Sequence, residues 1–138
     1  MSHDQAYYGV CDVCKNVNVP NHICVQRIHD LDALAISAMA KTVYENAKAH
    51  GWWEQERNDG EMIALMHSEL SEALEAIRAG NPPCPKDSGM STLEEEMADV
   101  VIRVMDFCYA RKIDLGRAIQ RKHFINMNRP YKHGGKKF

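Results

Sequence analysis

The sequence predicts an all-α domain, a bundle of four helices. Apolar residues recur at helical spacing over four long segments. Glycine, proline and capping residues fall between those segments. No stretch alternates at a period of two for long enough to make a strand. At 138 residues, one domain of ordinary size is expected. Four helices with short connections in so short a chain suggest a bundle that completes its core by oligomerisation.

Residues 1–29 read as a polar leader of weak periodicity, ahead of a helical domain at residues 30–138. Asp30 is placed to cap the first helix, on which Leu31, Leu34, Ala35, Ala38 and Met39 follow at helical intervals. The helix reaches about His50 and stops at Gly51. A second helix is expected from about Glu61 to Ala79, ended by Gly80-Asn81-Pro82-Pro83. Ser91 and Glu94 form an S-x-x-E capping box that opens a third helix, reaching about Arg111. Asp114 can cap a fourth, which ends before Pro130. Residues 131–138 are basic and glycine-rich.

Composition narrows the function classes. The formal net charge of -2 argues against a globally basic nucleic-acid-binding surface, so anion binding must rest on local clusters. Residues 1–10 lack the basic start and apolar run of a signal peptide. No segment approaches the ~20 apolar residues of a membrane span. Five cysteines, an odd number, do not look like a secreted disulfide scaffold, and a cytoplasmic location is expected.

On a wheel at about 100° per residue, Glu69 falls inside the apolar arc of the second helix, among Met62, Met66, Leu70 and Ala73. Glu72 lies at its margin on the same side. The third helix is apolar over about two-thirds of its circumference and is expected to be mostly buried. Its narrow polar stripe holds Glu95, Glu96, Asp99, Arg103 and Asp106. Two helices thus each offer a carboxylate pair three residues apart, Glu69/Glu72 and Glu96/Asp99. Should they face each other, two carboxylates about 5 Å apart repel by roughly 3 kcal/mol at an effective dielectric of 20. Several such pairs would strain a domain stable by about 5–15 kcal/mol. The cluster must then gain protons or cations, and oxygen-only ligands suit Mg²⁺ or Mn²⁺. A di-iron site would want Glu-x-x-His pairs, and the chain has none. The alternative is a solvated acidic stripe paired with Arg78 and Arg103.

Glu69-x-x-Glu72, 23 residues, then Glu96-x-x-Asp99 resembles the E-x-x-E…E-x-x-D signature of MazG-like nucleotide pyrophosphohydrolases. Residues 61–78 and 94–106 look like that family's second and third helices. Residues 122–136, KHFINMNRPYKHGGK, resemble the ending of its small single-domain members. The likeness covers roughly residues 30–137 and leaves out the leader. It implies a MazG-type all-α fold, a homodimer or homotetramer, and hydrolysis of nucleoside triphosphates to monophosphate and pyrophosphate. It also implies Mg²⁺ (with Mn²⁺ as a substitute) held by Glu69, Glu72, Glu96 and Asp99. One of these glutamates would activate the attacking water. Apart from the resemblance, Arg103 and Asp106 share the polar stripe of Glu96 and Asp99, which places them to orient the ligands from behind.

Lys122 shares a stripe with Leu115, Ile119 and Asn126, which points it inward, and the resemblance makes it a phosphate contact. A lysine snorkelling out past Leu115 and Ile119 is the alternative. Arg129, Lys132, His133 and Lys136 beside Gly134-Gly135 suit phosphates, or form a frayed basic tail. Trp52, Trp53 and, more weakly, Tyr131 could stack on a nucleobase, a contact worth about 1–3 kcal/mol. At least one tryptophan is expected in the core or at an interface. In the leader, Cys11-x-x-Cys14 with His22 and Cys24 offers a donor set for Zn²⁺, though His22-x-Cys24 is tight for a zinc finger. Free thiols are the other reading, and Cys84 and Cys108 are expected to be inert. A rival from another class is a non-catalytic nucleotide- or protein-binding helical module, with the leader as a zinc-dependent docking element.

Overall fold

Among the described residues, four helices follow one another: α1 Val25–Ala49, α2 Asp59–Arg78, α3 Thr92–Ala110 and α4 Leu115–Met127. The structure is a computed structural model and describes residues 25–127 and 129–130, with side chains from residue 31 onward. Among the described residues there is no strand, only an isolated bridge between Pro83 and Ser91. No helix of the described residues is long and apolar enough to cross a membrane.

The local signals act where the sequence places them. Ser91 Oγ accepts from Glu94 N at 3.3 Å while Glu94 Oε2 accepts from Ser91 N at 2.7 Å, so the capping box opens α3. Asn58 caps α2 by accepting from Glu61 N at 3.1 Å. α1 and α2 close on Gly51 (φ 84°) and Gly80 (φ 81°), in the left-handed conformation that glycine adopts without a steric cost. Trp52 N reaches back to Ala47 O and Asn81 N to Ala76 O, which completes a Schellman closure at each end. α3 ends on the same pattern, Ile113 N to Cys108 O, with Lys112 (φ 57°) in the left-handed position.

One boundary differs. α1 starts at Val25, so Asp30 lies inside the helix and does not cap it. The first turn of α1 carries no acidic residue.

Ser37–Leu115 form one compact unit; the described residues up to 36, with those from 116 onward, form another. In the first, α2 and α3 pack together and run antiparallel. Arg111 at the end of α3 pairs with Asp59 at the start of α2, while Asn81 and Leu93 meet at the other end. Met62, Ala73 and Ala76 of α2 and Cys108 of α3 are buried there, with Ala40 of α1. α3 is less covered than its composition predicts: Met97, Val101 and Ile102 are 42–48% exposed, because α2, with Tyr44 of α1 against Tyr109, covers only part of so wide an apolar arc. Leu70, Leu74 and Ile77 of α2 are exposed as well. In the other unit, buried Gly116 of α4 sits directly against the backbone of Ala33 in α1.

Candidate functional site

The antiparallel pairing of α2 and α3 brings acids far apart in sequence to one place. Glu69, Glu72 and Glu96 each offer a carboxylate oxygen, and these atoms lie within 4.8 Å of one another. Glu69 is buried, Glu96 half-buried and Glu72 exposed, so the trio runs from the helix interface out to solvent. Three oxygen ligands on two rigid helices are a set that could hold a hard cation. Asp99, the fourth acid expected here, is not in this group; it lies one turn beyond Glu96, half-buried, in the wall of a cleft.

Burial pushes the Glu96 carboxyl above the ordinary range, and the charges of Glu72 and Glu69 add to this. Asp99 is raised by burial first and by Glu69 second, against the pull of Lys86 and Arg103. Glu95 behaves differently. It turns to the α2–α3 loop, where Cys84 Sγ donates to it at 2.9 Å and Lys86 Nζ at 2.5 Å, and these bonds hold its carboxyl below the usual range. Cys84, expected to be inert, is therefore a hydrogen-bond donor.

Arg103 goes further than an orienting role. Its Nε and Nη2 both contact Glu69 Oε1, each at 2.5 Å. The expected pairing of Arg78 falls elsewhere, on Glu75 at the exposed face of α2.

A cleft of about 560 Å³, within the size range of small-ligand sites, is lined by Asp99 and by Arg103, the partner of Glu69, though by none of the three glutamates themselves. α1 lines it with Thr42 and Asn46, the α1–α2 loop with His50, Trp52 and Arg57, and α3 with Asp99, Arg103 and Asp106. The two tryptophans divide their tasks. Trp52 is 61% exposed at the cleft, with the Arg57 guanidinium 5.8 Å from its ring. Trp53 is half-buried: its Nε1 donates to Asp106 at 2.9 Å, and it packs on Tyr44 with ring centroids 5.5 Å apart. Arg111 lies over Trp53 and bonds Arg57 O, tying the loop to α3. Arg57 and Arg111 were not singled out by periodicity, which reports the face a residue occupies and not its partner across a loop.

Asp106 yields a pH-dependent prediction. Burial raises its carboxyl, opposed by the Trp53 N–H, Arg57 and Arg103. In the unfolded chain an Asp ionises near its ordinary value of about 4. The folded protein keeps the proton to higher pH, so stability falls as pH rises from the unfolded value through the raised folded one. Asp106→Asn keeps an acceptor for Trp53 but cannot ionise. Its stability relative to the wild type should be level at the acid end and increase through that window. Urea midpoints of both proteins between about pH 4 and 7 test this, and parallel profiles would refute it.

The other expected site residues are less concentrated. Lys122 and Asn126 lie on α4, in the other compact unit, and both are exposed. The inward stripe expected for them is not found: Ile119 is 46% exposed, because α4 buries only Gly116, in its first turn. Arg129 is exposed. Tyr131, Lys132, His133 and Lys136 lie outside the described residues, as do Cys11, Cys14, His22 and Cys24. No protein-family model, no curated protein and no solved structure matches the chain.

Proposed function

We propose that this chain is a MazG-like, Mg²⁺-dependent pyrophosphohydrolase that converts nucleoside triphosphates to monophosphates and pyrophosphate, a reaction suited to cleaning nucleotide pools in the cytoplasm. The observation that carries this reading is the meeting of Glu69, Glu72 and Glu96, with Glu69 bonded to Arg103 of a ligand-sized cleft that bears an exposed tryptophan. The donor set fits the cation: three carboxylate oxygens, no nitrogen or sulfur, on helices that hold them within 4.8 Å. Glu69, Glu72 and Glu96 would hold it, with Asp99 at the cleft side. When bound, Mg²⁺ supplies Lewis-acid polarisation of a phosphoryl oxygen and a lowered pKa for water.

The protein's own groups then have distinct tasks. Trp52 offers a face for the nucleobase and Arg57 a positive charge beside it. The attacking water forms a bond to the α-phosphorus as the bond to the bridging oxygen breaks, and pyrophosphate leaves. One of the glutamates takes the proton from that water. Lys122, Asn126, Arg129, Tyr131, Lys132 and His133 are the phosphate and base contacts the resemblance adds. The exposed apolar faces of α2 and α3 favour a homodimer or homotetramer. Zn²⁺ on Cys11, Cys14, His22 and Cys24 would anchor the leader.

A second reading, a non-catalytic binding module, is favoured by the Arg103–Glu69 contact, which already gives one buried acid a counter-charge. Pyrophosphate release separates the two. Assayed over the eight common ribo- and deoxynucleoside triphosphates, the enzyme should turn over some of them with Mg²⁺ and none with EDTA. Silence on all eight from the folded protein would leave the binding module as the better reading.

A further inference from the structure

A buried carboxylate needs a counter-charge, and the Glu69 side chain is only 6% exposed. In this structure the counter-charge is Arg103, from the opposite helix. Two features set this ion pair apart from a permanent strut. First, Nε and Nη2 both fall on the same oxygen, Oε1, whereas the strong two-pronged arrangement spreads a guanidinium over both carboxylate oxygens. Second, the Arg103 side chain is 37% exposed and lines the cleft with Asp99 and Asp106, so it has water and other acids to turn to. Meanwhile Glu72 and Glu96 hold their oxygens within 4.8 Å of Glu69's. A cation on those three oxygens and a guanidinium on Glu69 would stand side by side with like charge.

We infer that Arg103 is a built-in competitor for the cation: it neutralises Glu69 while the acidic trio is empty and is displaced into the cleft when a divalent cation binds. This rests on the cation-binding reading above. It makes the empty protein tolerate its buried acid without metal, and it sets the cation affinity below what three carboxylates alone would give. Arg103 is here a positioning residue, acting through Glu69.

Mn²⁺ binding to the full chain, followed by calorimetry, tests the inference on wild type and Arg103→Met, which keeps the stem and loses the charge. Arg103→Met should bind Mn²⁺ at least about tenfold more tightly than the wild type, a factor equivalent to about 1.4 kcal/mol. Its melting temperature should lie below wild type without metal and recover most of that loss with Mn²⁺. Equal or weaker Mn²⁺ binding by Arg103→Met, with the wild type binding normally, would overturn the inference and leave the cation site standing. Absence of Mn²⁺ binding in both, with no pyrophosphate release, would remove the cation site and the inference together. Should Arg103→Met fail to fold, the wild type answers alone. The Arg103 Nε–H resonance, identified by its loss in Arg103→Lys, should exchange slowly in the apo protein and lose that protection at saturating Mg²⁺. An unchanged signal at saturation would equally overturn the inference.

Discussion

Glu96→Gln and Glu72→Gln should each lower Mg²⁺-dependent pyrophosphate release by at least about 10³-fold, while the helical circular dichroism stays that of the wild type. A catalytic cation stabilises transition-state charge by several kcal/mol, and each 1.36 kcal/mol is tenfold in rate. Glutamine keeps the size of the side chain and removes the charge that holds the cation. Glu96 sits with its carboxyl raised by burial and by two neighbouring acids, so removing its charge relieves repulsion in the metal-free protein. Stability without Mg²⁺ should therefore hold or rise. Unfolding of these variants would instead mark the acids as structural ion-pair partners. Glu69→Gln should differ: it strips Arg103 of its partner, so it should lose stability as well as turnover. Asp99→Asn sorts the fourth acid. A loss equal to that of Glu96→Gln would put Asp99 on the cation, and a clearly smaller one would leave the trio as the ligand set.

Gly116→Ala should destabilise the protein, against the ordinary preference of helices for alanine. In an exposed helix interior this change is favourable by up to about 1 kcal/mol. Here the new Cβ would lie 2.1 Å from Ala33 O and 2.8 Å from Ala33 C. Those are backbone atoms of α1 and cannot rotate aside, so the helices must separate. Forced overpacking of this kind typically costs about 1–3 kcal/mol, occasionally more. A lower urea midpoint is the expected result, and Gly116→Val should lower it further. A midpoint raised by alanine would show that the two backbones do not approach as closely as the structure places them.

Much of the helical architecture was legible in the sequence because its signals are local. The Ser91–Glu94 box and the glycines at 51 and 80 act within a few residues, and α3 begins and α1 and α2 end where these place them. The convergence of the acids was legible in part: helical wheels put Glu69 and Glu96 on faces that can meet, and three of the four acids do meet. Elsewhere the reading fell short. The start of α1 carries no acidic first-turn residue, and the cap-like Asp30 drew the boundary five residues late. α3 closes on Lys112, a residue that does not announce a left-handed turn. What only the tertiary structure decided is which charges pair. Arg103 finds Glu69 across 34 residues, Trp53 finds Asp106 across 53, and Arg111 finds Asp59 across 52. Periodicity states which face a side chain occupies; its partner is set by the register in which two helices pack, and that register is a property of the assembled fold.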